Sequence, residues 1–328
     1  MKKILIIQTA FIGDVILATP IIEKLNQHFP DAKIDFLLRK GNEGLLQGHP
    51  YINELIIWNK TQSKYKNLFQ VIKKIRGNKY DYLINVQRFA STGLITILSG
   101  AKTTVGFNKN PFSFLFTKSV KHVIDNKKHE TERNTGLIQG ITDNSKHLPK
   151  LYPSEQNYKN TKKYKSSAYI CIAPTSVWFT KQYPQDKWIE FINQIDSKYT
   201  IYFIGSKDDF NFCQGIIDKL SERSKQQNLA GKLSFLETAA LMKDAKMNYV
   251  NDSAPMHIAS AMNATVTAIF CSTTPVFGFG PLSNNSFIIE TTEELGCRPC
   301  GLHGLKECPE KHFKCAYNIK KEQLLEKI

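Results

Sequence analysis

The feature that most limits the fold is a rhythm: short apolar runs alternate with helical patterns, twice over, with a break between. Residues 3–8, 33–39, 52–58, 81–87 and 103–107 read as strands. Between them, residues 15–28 place apolar side chains at 15, 16, 17, 21, 22 and 25, a helical spacing interrupted by Pro20. A short helix near 42–47, an amphipathic one over 64–76 ended by Gly77-Asn78, and another over 90–98 complete this set. Residues 108–165 lose the rhythm and are rich in Lys, Asn, Ser and Pro, with a helix predicted at 130–140. The passage between domains is placed near 158–167. The alternation then restarts, with strands at 169–173 and 200–204, a short strand and turn at 228–231, and helices at 185–195, 208–220 and 235–244. Such alternation specifies a parallel sheet covered on both faces. Two sets specify an α/β chain of two doubly wound, Rossmann-like domains. The expected division is 1–160, then 161–317 with a Cys-rich segment at 297–315, then a closing helix over 318–328.

Size and composition agree. The 328 residues suit two domains, and 41% hydrophobic content supplies two cores. The formal charge of +15 is uneven: residues 1–150 hold 23 Lys+Arg against 11 Asp+Glu, and residues 151–328 hold 21 against 18. The first half is the one expected to meet an anionic partner, unless the lysines simply solvate the surface. The apolar run Ile4-Leu5-Ile6-Ile7 is too short for a signal-peptide core, and no stretch approaches the ~20 apolar residues of a membrane span. A cytosolic protein that at most touches a membrane surface is expected. Seven cysteines there are free thiols or metal ligands rather than a disulfide framework.

Ligands of doubly wound sheets bind beyond the carboxyl ends of the strands. The stretch Asn251-Asp252-Ser253-Ala254-Pro255-Met256-His257 follows one apolar run and precedes another, giving strand, turn, helix and strand. Asp252 or Ser253 can cap the helix and Pro255 suits its first turn. A helix start there offers free N–H groups to a phosphate. His257 lies one turn in, as a structural histidine or a hydrogen-bond donor to a leaving oxygen. Thr175 and Ser176 close the strand 169–173, and Lys181 follows, a compact charge suited to a diphosphate or a plain surface lysine. The first loop, residues 8–14, lacks G-x-G-x-x-G; Gly13 permits a tight turn. Asp14 either caps the next helix or acts as a general base. Cys297, Cys300, Cys308 and Cys315, with His303 and His312 interleaved, read as a structural Zn²⁺ knuckle, a packed set of free thiols or a redox cluster.

Residues 11–20 (Phe-Ile-Gly-Asp-Val-Ile-Leu-Ala-Thr-Pro), Asn228-Leu229-Ala230-Gly231 and the 251–257 block together resemble family 9 glycosyltransferases, the ADP-heptose:lipopolysaccharide heptosyltransferases. Thr273-Thr274-Pro275 and Gly278-Phe279-Gly280-Pro281-Leu282 look like the family's next loop. The cysteine-bearing tail is similar to that of the heptosyltransferase II branch. The resemblance implies a GT-B fold, with two Rossmann-like domains facing across a cleft and the closing helix packed back on the first. It implies inverting transfer of heptose from ADP-heptose to the inner core of lipopolysaccharide or lipooligosaccharide, with no cofactor in catalysis. Asp14, after Gly13, matches the general base and Lys181 the lysine that neutralises the diphosphate, with Thr175 and Ser176 beside it. Asp252, Ser253, Ala254 and His257 match the loop holding the donor's phosphates and sugar. The chain departs from the family in Ala254, where Gly is usual, and leaves the nucleoside contact among Lys207, Asp208 and Asp209. The implied partners are a nucleotide-sugar and an anionic acceptor at the cytosolic face of the inner membrane. The competing readings are a different nucleotide-sugar donor and a non-catalytic nucleotide-binding paralogue. Nucleic acid is not an expected partner: helix-turn-helix, stacked aromatic-basic and paired zinc-finger patterns are missing.

Overall fold

In the computed structural model, which describes residues 1–61, 63–125, 128–221 and 225–328, the apolar runs pair as two separate parallel sheets. They lie in two units, Met1–Tyr152 and Pro153–Ile328. The first unit holds strands β1 (Lys3–Ile7), β2 (Lys33–Arg39), β3 (Glu54–Trp58), β4 (Tyr82–Asn85), β5 (Thr103–Phe107) and β6 (Lys118–Val120). Its helices are α1 (Ile12–His28), α2 (Lys64–Asn78), α3 (Ala90–Leu98) and α4 (Glu130–Gly136). The sheet order is β3-β2-β1-β4-β5-β6. β1 is buried from Ile4 to Ile7, as a central parallel strand must be. Leu5, Ile7, Leu37 and Trp58 share one core with Leu68, Val71, Ile72 and Ile75 of α2.

Pro20 sits inside α1 without breaking it. A proline removes the N–H that would bond the carbonyl four residues earlier, Ile16 O. The hydroxyl of Thr19 donates to that same carbonyl at 2.8 Å.

The second unit repeats the plan with β7 (Tyr169–Ala173), β8 (Thr200–Phe203), β9 (Lys225–Asn228), β10 (Met247–Asn251), β11 (Val266–Ile269) and β12 (Ser286–Ile289), in the order β12-β11-β10-β7-β8-β9. Its helices are α5 (Glu155–Thr161), α6 (Gln185–Ile192), α7 (Phe210–Ile217), α8 (Phe235–Lys243), α9 (Ala254–Ala261), α10 (Lys314–Tyr317) and α11 (Lys321–Leu325). Trp188 and Phe191 of α6 pack on Tyr249 and Ile269 of the sheet. Among the described residues, no helix is long and apolar enough to cross a membrane.

Three expectations shift. The division falls after Tyr152 rather than near 158–167, because α5 packs on α8, where Asn160 Nδ2 donates to Glu237 at 2.6 Å. The closing helix, expected on the first domain, contributes Leu324 to the second unit's core, and Tyr249 donates its hydroxyl to Leu324 O at 2.8 Å. The strands β6 and β12 were not anticipated; both are short edges with half-exposed side chains, so an apolar run or alternation is lacking.

In each sheet the strand order reverses once, between β1 and β4 and between β7 and β10. The register brings Ile7 opposite Asn85, so β1 and β4 end level, and Ala173 opposite Val250, so β10 runs one residue past β7. A crevice at such a switch point is where doubly wound sheets bind ligands.

Candidate active site

In the first unit, the β1–β4 switch point presents Asp14. Phe11, with extended backbone, precedes α1 and Asp14 is the helix's third residue, so Asp14 is not the N-cap. Its Oδ2 accepts the Phe11 N–H at 3.1 Å, and no other hydrogen bond reaches its carboxylate among the described residues. Gly13 lies in the helical turn and has no left-handed φ, so a tight turn is not what requires glycine there. Burial pushes the Asp14 carboxyl up to about 6, with neighbouring Glu130 adding to the rise while the Phe11 N–H, Arg88 and Arg39 oppose it. A carboxylate poised there is far better matched to proton abstraction near neutrality than an ordinary aspartate.

Glu130 is itself held. Burial raises its carboxyl, yet hydrogen bonds from His122 and Arg133 bring it below the usual range. Arg133 Nε lies 2.6 Å from it and His122 Nε2 3.4 Å. Asn134 Nδ2 donates to Leu17 O at 3.0 Å, bolting α4 to α1. Sequence reasoning did not single out Glu130, because its relation to Asp14 exists only once α4 is docked.

In the second unit, the β7–β10 switch point gathers most of the predicted residues. Lys181 Nζ sits 2.7 Å from Asp252 Oδ2, both side chains largely shielded. Thr273, in the loop after β11, donates its hydroxyl to the same oxygen at 2.6 Å. Asn251 Oδ1 accepts the Tyr183 N–H at 3.0 Å, and its buried Nδ2 has no partner among the described residues. The half-buried Thr175 and Ser176 keep their hydroxyls out of any hydrogen bond among the described residues.

Ser253 is the N-cap of α9 but makes no side-chain cap; its hydroxyl only grazes Asn251 O at 3.4 Å. Asp252, the other capping candidate, is occupied by Lys181 and Thr273. The first turn of α9, including Ala254, is therefore left without a side-chain cap, which is what an incoming anion requires. His257 is buried within α9. Of the three nucleoside-contact candidates, Asp209 is committed to its own turn, accepting the N–H and hydroxyl of Ser206, both at 2.7 Å. Lys207 and Asp208 remain exposed.

The cysteine segment is stitched onto this site. Thr180 is its hinge: it donates its N–H to Leu305 O at 3.1 Å, accepts the Leu305 N–H on its hydroxyl at 2.7 Å, and accepts the Ser272 hydroxyl at 2.9 Å. Gly304 has φ +73°, and a Cβ there would lie 2.8 Å from Lys181 Cγ. Only glycine admits both the conformation and the contact. Arg298 donates to Cys271 O and Thr273 O, both at 2.7 Å, and to Phe270 O at 3.2 Å, and pairs with Glu290. It thus fixes the loop after β11 that carries Thr273.

The seven cysteines are free thiols, with Cys297, Cys300 and Cys308 partly exposed and Cys315 buried. Cys300 Sγ donates to Cys297 O at 3.3 Å, and burial pushes the Cys315 thiol up to about 12. Among the described residues, no three His, Cys, Asp or Glu side chains are gathered as a metal cage.

A family model described as glycosyltransferase family 9 (heptosyltransferase) matches residues 68–312. Lipopolysaccharide heptosyltransferase 3 of Escherichia coli is 30% identical over 84% of this chain and 85% of its own length. Among solved structures, a family 9 glycosyltransferase from Veillonella parvula superposes with a TM-score of 0.84 at 21% identity, covering 99% of this chain and 95% of that one. The ADP-heptose lipopolysaccharide heptosyltransferase II of E. coli gives 0.81 at 23% identity, covering 100% and 97%. At that identity the two structures speak for the fold, which is GT-B.

Proposed function

The chain belongs to glycosyltransferase family 9, and from that premise we propose that it moves a heptose from ADP-heptose to the inner core of lipopolysaccharide or lipooligosaccharide. The observation that carries this reading is the second switch point: a lysine aimed by Asp252, two uncommitted hydroxyls and an uncapped helix start, all suited to a diphosphate. Lys181, Thr175, Ser176 and the first turn of α9 hold the donor's phosphates. Asp252 does not touch them, since two anions repel; it holds Lys181 in place.

The transfer is inverting. Asp14 removes the proton from the acceptor hydroxyl as its oxygen attacks the anomeric carbon, and the bond from that carbon to the diphosphate breaks. ADP leaves with the bonding electrons, and Lys181 with the α9 N–H groups meets the charge that builds on it. No metal is required, because the chain itself supplies the cation a metal would otherwise contribute. The basic first unit suits an acceptor bearing phosphates and carboxylates at the cytosolic face of the inner membrane.

Thermal unfolding against a panel of nucleotide-sugars tests the donor. ADP-heptose at a hundredfold over its Kd stabilises the fold by about 2.7 kcal/mol, and UDP- and GDP-sugars at equal concentration do not. Equal protection by a UDP- or GDP-sugar defeats the assignment.

A further inference from the structure

Helix α2 carries Lys64, Lys66, Lys73, Lys74 and Arg76 and not one carboxylate in fifteen residues. Its inner side is set by Leu68, Val71, Ile72 and Ile75, all in the first unit's core. Advancing about 100° per residue, the helix places Tyr65, Phe69 and Arg76 together on one outward flank, with Lys66 and Lys73 beside them. Tyr65 is 74% exposed and Phe69 63%. Single exposed apolar residues need no explanation, but two large rings one turn apart, bordered by cations, do. Lys74 is engaged by Glu54, and Arg76 reaches Leu98 O at 3.4 Å, tying the helix to α3. Lys66 and Lys73 make no ion pair among the described residues.

We infer that this face of α2 docks on an anionic lipid bilayer. Aromatic rings favour the boundary between headgroups and acyl chains, and lysines beside them meet lipid phosphates. Charge selects the occupant: a second copy of the chain would set one acid-free cationic face against another. The fold also fits, because the apolar inner side of α2 is already spent on the core, so the rings are surplus to folding. The inference deepens the proposed membrane acceptor and rests on that reading for its purpose. Vesicle binding, though, needs neither donor nor acceptor, so either can fail alone.

The test is co-sedimentation of the full chain with phosphatidylglycerol-containing vesicles and with pure phosphatidylcholine vesicles. Two variants are compared, Tyr65→Ser/Phe69→Ser and Lys66→Glu/Lys73→Glu. The wild type should partition onto the anionic vesicles about tenfold more strongly than onto the neutral ones, and each variant should lose about tenfold. Turnover on a water-soluble, delipidated acceptor should be unchanged in both. Independently of the variants, hydrogen exchange of wild-type residues 64–78 should slow when anionic vesicles are present. Partition without preference for anionic lipid, variants that bind like wild type, no slowing in 64–78, or displacement of the wild type from vesicles only by nucleic acid each overturn the inference.

Discussion

Lys181 Nζ stands 2.7 Å from Asp252 Oδ2, and Thr273 closes on the same oxygen at 2.6 Å. A lysine without such a partner would swing in solvent; here its charge is aimed before any ligand arrives. Lys181→Met should weaken ADP binding about tenfold to a hundredfold, and Asp252→Asn should weaken it through the released lysine. Because both changes act on one interaction, the double variant should fall short of their sum by about 1–3 kcal/mol. Calorimetric titration with ADP measures all three. Strict additivity would mean that the two residues act separately.

The Asp14 carboxyl is raised by burial to about 6, above its unfolded value of about 3.9. An acid raised in the fold is favoured protonated, so its ionisation costs stability, and that cost appears as pH rises from about 4 through 6. Asp14→Asn should therefore raise the free energy of unfolding above about pH 6, by an upper limit of about 3 kcal/mol, and leave it unchanged near about pH 3.5. In the wild type kcat/KM should climb with pH and level off above about 6. A flat profile across that range would detach the base role from Asp14.

Arg298 supplies the third. Its guanidinium serves three carbonyls at the end of β11, and removing it strands them. Arg298→Met should cost about 2–4 kcal/mol of stability. At temperatures where the variant remains folded, it should also raise the donor KM, since Thr273 loses its anchor. Arg298→Lys should restore little, because an ammonium cannot fork to several carbonyls. An unchanged KM alongside the lost stability would restrict Arg298 to holding the fold.

A fourth follows from the thiols. In the folded chain a thiol reagent should modify Cys297, Cys300 and Cys308, leaving Cys171, Cys213, Cys271 and Cys315 until denaturation. Mass spectrometry before and after unfolding reads the two classes. Full protection of the first three, released by a chelator, would instead reveal a bound metal.

How far the sequence reached depended on how local each feature is. The central strands β1 and β7 were legible because parallel strands buried on both faces read as continuous apolar runs. The loops carrying Asp14, Thr175, Lys181 and Asp252 followed from the switch-point rule applied to those strands. The edges β6 and β12 were not legible, being short and half-exposed. Nor were the partnerships that shape the site: Lys181 with Asp252 spans seventy-one positions, and Arg298 with the end of β11 depends on how an irregular segment folds back. The capping expectation held for the position, Ser253 being the N-cap residue, and not for its side chain, for a related reason. Ser253 and Asp252 have the right chemistry for a cap, but tertiary partners claim the carboxylate and leave the helix start open. The cysteine spacing gave no sign of the segment's ties through Thr180, Gly304 and Arg298 to the neighbouring strand ends, which depend on how the chain folds back.

Heptosyl transfer with Asp14 as the base is read out by supplying ADP-heptose and a lipopolysaccharide inner-core acceptor and following ADP release and acceptor mass together. The wild-type chain should add one heptose per ADP released and none from UDP- or GDP-sugars, and Asp14→Asn should add none while binding ADP as tightly as the wild type. Undiminished turnover by Asp14→Asn, or product formed as readily from a UDP- or GDP-sugar, would contradict this reading.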